Sequence, residues 1–117
     1  MTAAATTDRK VRLAARAALD RKAVDLVVLD VQGLSSVTDF FVVCSGRSST
    51  HVASIADAVR VAMKAEARLL HAEGAPESGW VLLDYGDVLV HIFLEDTRLY
   101  YALERLWGDA PTLSLEA

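Results

Sequence analysis

The chain has 117 residues, 53% of them hydrophobic and 24% charged, with a formal net charge of -4. Such a composition fits one domain with its own core and excludes a disordered chain or a fold that depends on disulfide staples. The acidic balance argues against a protein that holds nucleic acid along a basic stripe, while leaving a basic protein partner open.

Residues 1–7 are small and polar and read as a disordered tail, and 111–117 as a C-terminal tail, flanking one domain at 8–110. From Asp8 to Lys22 the residues Val11, Ala14, Ala15, Ala18 and Leu19 recur at helical spacing, with Thr7 or Asp8 as the expected cap. "DLVVLDV" is too short for a helix and rich in valine, so an interior strand is predicted. "QGLSSVT" is turn chemistry, and "DFFVVCS" is a second strand of aromatic and β-branched residues. After "GRSST" comes a long helix whose inner stripe is Val52, Ile55, Ala56, Val59, Met63 and Ala67. "RLLHAEG" reads as a short strand and "GAPESG" as a loop. Residues 79–94, "GWVLLDYGDVLVHIFL", form a hairpin, and "EDTRLYYALERLW" closes the domain as a helix with Leu99, Leu103 and Leu106 inward. The order α-β-β-α-β-β-β-α predicts an α/β chain of α+β character, a mixed sheet with helices mainly on one face.

The hairpin carries the functional question. With Tyr85 and Gly86 at the centre of the turn, Asp84 faces Asp87, and counting outward pairs Leu83 with Val88 and Trp80 with His91. Period-two alternation then puts Val81, Leu83, Val88, Val90 and Ile92 on one face and Trp80, Leu82, Leu89, His91 and Phe93 on the other. The aliphatic face suits the helices. The second face is too apolar to be left to water, so either more of the chain or another protein covers it.

Catalytic readings find little support. His51, His71 and His91 fall on different elements without a short-range ligand pair, so no metal or other cofactor is expected. The turn at Ser45, Gly46 and Ser48 could aim N–H groups at a phosphate, as a nucleotide-binding module would, or could simply be a glycine turn with a helix cap. No predicted strand carries two acids one residue apart, the pair that would converge on magnesium in a nucleotidyl transferase. Cys44 is the single cysteine and lies mid-strand, which points to a reducing cytoplasm rather than to a nucleophile. The start lacks the apolar core of a secretory signal and no apolar run reaches membrane-spanning length, so a cytoplasmic protein without membrane contact is expected.

Four segments, "VVLDVQGLSSVTDFFVVCSGRSS", "VASIAD", "EGAPESGWVLLDYGDVLVHIF" and "RLYYALERLWGDA", together resemble the Iojap family, the bacterial ribosomal silencing factor S group. The resemblance covers roughly residues 9–110. It implies a nucleotidyltransferase-like fold without the catalytic carboxylates, and a translation repressor rather than an enzyme. It further implies that the partner is the large ribosomal subunit, bound through its fourteenth protein so that the small subunit cannot join under nutrient limitation, and that the chain is a homodimer. No sequence-specific contact with nucleic acid is implied. On this reading Trp80, Leu82, Leu89, His91 and Phe93 form the centre of the contact, Asp84 and Tyr85 its edge, and Arg98 a charged addition. Thr50 and His51 depart from the family, whose members often carry Arg-Gln there.

Overall fold

A computed structural model of the chain describes residues 3–33, 38–95 and 112–113. Two helices, α1 (Ala3–Asp20) and α2 (Ser49–Met63), accompany strands β1 (Val24–Asp30), β2 (Phe40–Gly46), β3 (His71–Ala75), β4 (Trp80–Asp84), β5 (Val88–Leu94) and β6 (Thr112–Leu113). The strands form one sheet in the order β3-β4-β5-β2-β1-β6. Only β2 and β5 run parallel, and the other neighbours are antiparallel. The mixed sheet with its helices is therefore as expected from the alternation of patterns. The expected closing helix, with Leu99, Leu103 and Leu106, and Arg98 lie outside the described residues.

Both described helices pack on the same face of the sheet. Val11, Ala14, Ala15 and Ala18 from α1 and Val52, Ile55, Ala56, Val59 and Met63 from α2 meet Val28, Val42, Val81, Leu83, Val88, Val90 and Ile92 in one core. Small alanines let α1 approach closely, and the β-branched strand residues fill the pleat beneath. β2 is buried along its whole length, its alternate side chains entering the apolar clusters on the two opposite faces of the sheet.

Three expectations are corrected. The helix α1 begins at Ala3, so residues 3–7 are helical rather than tail, and Thr7 is inside the helix rather than its cap. The physical reason is tertiary. Thr7 donates from Oγ1 to Asp87 Oδ2 at 2.6 Å, and Lys10 Nζ lies 3.2 Å from Asp87 Oδ1, so the first turns of α1 are fastened to the β4–β5 turn. At the other end, Thr112–Leu113 pairs with β1, so part of the expected tail is an edge strand. The third correction is the hairpin register: Trp80 pairs with Phe93, Val81 with Ile92, Leu82 with His91, Leu83 with Val90 and Asp84 with Leu89.

That register is shifted by two residues from the expected one because the tight turn is centred on Gly86 and Asp87. Gly86 takes φ +89, a conformation that Tyr85 could adopt only with strain. Asp84 Oδ1 accepts a 2.7 Å hydrogen bond from the Gly86 N–H, and the Tyr85 N–H donates to the Val88 carbonyl at 2.9 Å. A shift of two preserves the alternation, so each side chain stays on the face assigned to it.

Candidate functional site

The face of the sheet opposite α1 and α2 has its own apolar cluster, made by Leu29, Val31, Phe41, Val43 and Phe93 with Val27, Trp80 and Leu89 packed against it. None of the described helices contributes to it. Register carries the same face across β3 to β1: His71, Asp84, Leu89, Phe41 and Leu29 form one row, and Glu73, Leu82, His91, Val43 and Val27 the next. Trp80, Leu82 and Leu89 are half-buried, so they offer apolar area to the outside. Exposed His71 Nε2 and Glu73 Oε1 lie in hydrogen-bond contact at 2.8 Å on the outer strand, and Asp84 stands at the end of β4. An apolar strip with a polar border is the anatomy of a protein-binding surface.

Beneath the strip is a ladder of rings. Trp80 Nε1 donates to His91 Nδ1 at 3.3 Å, which fixes Nδ1 as the acceptor and leaves the proton of the neutral imidazole on Nε2. The His91 ring lies nearly parallel to Phe93, centroids 6.1 Å apart at 4°, and meets Phe41 edge-on at 5.0 Å. Burial holds the imidazole at a pKa of about 4, well below its ordinary 6.5. Trp80 is thus clamped between a histidine acceptor and the Phe93 ring, 6.5 Å away. A pre-set indole loses little freedom on docking, which favours its use as an anchor.

The structure divides the expected contact residues. Trp80, Leu82 and Leu89 share the face that α1 and α2 do not cover, with Asp84 at their border. His91 and Phe93 lie on the same face but are 8% and 2% exposed, so they support the strip rather than form its surface. Tyr85 belongs to the other side: it is buried in the helix-covered core. Alternation alone could have shown this, since Tyr85 follows Val81 and Leu83 in steps of two.

The Ser45-Gly46-Ser48 turn is explained by packing and capping. Ser45 is buried, and a Cβ on Gly46 would stand 2.9 Å from Val52, so glycine permits α2 to start against β2. Ser48 caps α2 by accepting from the His51 N–H at 3.1 Å. His51 Nδ1 accepts from the Arg47 N–H at 2.9 Å, while Nε2 meets the Arg21 carbonyl at 2.7 Å. Two N–H groups that could have cradled a phosphate are thereby used within the chain. The role of His51, illegible in sequence, is to tie the start of α2 to the end of α1.

Residues 4–117 match the family described as "Ribosomal silencing factor during starvation". The chain belongs to the ribosomal silencing factor family, which includes the chloroplast Iojap proteins. It is 45% identical over 106 residues to ribosomal silencing factor RsfS of Halalkalibacterium halodurans, covering 90% of this chain and 91% of that protein. A crystal structure from Chromobacterium violaceum superposes with a TM-score of 0.83 at 35% identity, covering 94% of this chain and 92% of that one. A more distant mouse relative, "mitochondrial assembly of ribosomal large subunit protein 1", is 33% identical over 87 residues, 71% of this chain and 38% of the mouse protein. Family membership makes this a ribosomal silencing factor, a regulatory class. No helix among the described residues is long and apolar enough to cross a membrane.

Proposed function

We propose that this silencing factor acts without catalysis, by docking its open sheet face on the large ribosomal subunit and obstructing the small subunit. The observation that carries this reading is the half-buried strip of Trp80, Leu82 and Leu89 on the face left free by α1 and α2. The name of the mouse relative, which refers to the large subunit, supports that choice of particle. The fourteenth protein of the large subunit is the proposed contact, and occlusion under nutrient limitation the proposed outcome. Both come from the family resemblance, as does the homodimer, while the proposed cytoplasmic setting rests on the single cysteine, Cys44. Asp84 borders the contact, His91 and Phe93 hold its anchor, and Arg98 is proposed to add a charged contact.

The anchor is testable. Trp80→Ala should weaken association with isolated large subunits by about 2 kcal/mol or more, roughly thirtyfold. Sedimentation through a sucrose gradient reads this directly: the parent protein travels with free large subunits and the variant stays at the top. A cooperative thermal transition retained by the variant separates a lost contact from a lost fold. Co-sedimentation of Trp80→Ala at parental affinity would overturn the proposed face.

A further inference from the structure

A second feature lies on the helix side of the molecule, away from the Trp80 strip. A pocket of about 350 Å³ opens between the last turn of α2, the chain leaving it and the β4–β5 turn, lined by Arg60, Lys64, Ala67, Arg68, Leu69 and Tyr85. Arg60 and Lys64 are one helical turn apart, and Arg68 reaches the same pocket from the segment that follows the helix. All three cations are exposed, and none makes an ion pair or side-chain hydrogen bond among the described residues.

Three carboxylates near this end of the molecule are engaged elsewhere. Glu66 pairs with Arg9, Asp84 accepts from the Gly86 N–H, and Asp87 takes Thr7 and Lys10. In a chain of net charge -4, three cations converging on one pocket without a carboxylate is a local reversal of the overall field. Basic residues at a helix C-terminus do complement the helix dipole. That explains Arg60 and Lys64 but not the convergence of Arg68 and Tyr85 on the same space.

Tyr85 adds a neutral donor. Its ring is anchored in the core while its hydroxyl makes no hydrogen bond among the described residues. Burial raises its phenol pKa, and the nearby Arg60 charge opposes that rise. At physiological pH the hydroxyl keeps its proton and can donate it to an anion. Ala67 and Leu69 supply an apolar wall on one side of the pocket.

We propose that this pocket binds a phosphoryl oxyanion through Arg60, Lys64, Arg68 and the Tyr85 hydroxyl. Guanidinium forks match the paired oxygens of a phosphoryl group, and the lysine adds a compact point charge. The pocket falls within the roughly 300–1,000 Å³ usual for small-molecule sites. The same chemistry serves the phosphates of a free nucleotide or one phosphodiester of an RNA strand. A single phosphate contact carries no sequence information and needs no basic stripe, so it is compatible with an acidic chain.

The test is a titration of the full chain, followed by amide chemical shifts, with pyrophosphate, with ATP and with a short single-stranded RNA. Sodium chloride of matched ionic strength is the control. The expected result is a saturable shift confined to residues 60–70 and 84–86. Arg68→Gln should weaken it about tenfold, the loss of one charge-assisted hydrogen bond. The triple variant Arg60→Gln, Lys64→Gln, Arg68→Gln should abolish it. Tyr85→Phe keeps the ring in the core and should weaken binding severalfold while leaving the melting temperature unchanged. Saturation by pyrophosphate or ATP alone assigns a free phosphorylated ligand, and saturation by RNA alone assigns a strand phosphate. Absence of saturation with all three probes, equal shifts from chloride, or shifts retained in the triple variant would overturn the proposal.

Discussion

The two faces of the sheet are built from the same strands and differ in that α1 and α2 cover only one of them. On the helix side, Val42, Leu83, Val88, Val90 and Ile92 are fully buried beneath α1 and α2. On the other side the same strands present Trp80, Leu82 and Leu89 half-buried over Phe41, His91 and Phe93. The first face uses shape-matched aliphatics that need no direction. The second combines rings, an N–H donor and a buried imidazole, groups that fix orientation. A face meant only to close a core does not need that polar register, whereas a face that must present one indole in one pose does.

The comparison can be broken most forcefully from the helix side. Leu83 has no exposed area and sits within the principal core. Leu83→Ala should therefore cost about 3 kcal/mol, the usual penalty for a cavity at a fully buried leucine. Calorimetry should show a fall in melting temperature of roughly 10 °C or more. A fall of only a degree or two would mean that α1 and α2 close over the gap, and that the two faces are less distinct than their burial indicates.

A pH profile examines the buried polar group of the open face. His91 has a pKa of about 4 in the fold because burial penalises its charged form, against 6.5 when unfolded. The neutral imidazole is thus favoured by the fold, and the unfolded chain binds the extra proton between these values. Stability is fully present above pH 6.5 and falls as pH drops toward 4, by about 3 kcal/mol in all. Protonation at Nδ1 would also remove the acceptor of the Trp80 N–H. His91→Gln, which can still accept that bond, should flatten this part of the denaturation-versus-pH curve relative to the parent. Identical slopes for the two proteins would show that His91 is not held neutral by the fold.

How far the sequence revealed this division depends on which interactions are local. The two faces were legible because alternation needs only the strand period, and a slip of two residues left it intact. The slip itself came from Gly86, whose positive φ sets the turn centre one residue beyond the position first expected. The start of α1 was not legible, since Thr7 and Lys10 are fixed by Asp87, about eighty residues away. His51 likewise bonds the Arg21 carbonyl across two elements, and no short-range pattern announces such a bond. The cationic pocket hid in an ordinary amphipathic helix: Arg60 and Lys64 read as a solvated face until Arg68 and Tyr85 arrive from other elements.

The gentlest prediction separates stability from docking on the open face. Leu82 is half-buried and pairs with His91, so it contributes less to the fold than Leu83 beside it, which points the other way. Leu82→Ser should cost about 1–2 kcal/mol of stability, less than Leu83→Ala, because part of the side chain already meets water. Its effect on association with large subunits should be the larger one, about tenfold or more, since a hydroxyl would enter the desolvated centre of the proposed contact. Chemical denaturation and subunit sedimentation on the same preparation measure both quantities. A variant that loses several kcal/mol of stability would make Leu82 a core residue and the open face a second interior. One that keeps both its stability and its binding would move the contact elsewhere on the sheet. Only the combination of a small stability loss with a large binding loss is what an unfinished face, completed by another molecule, should give.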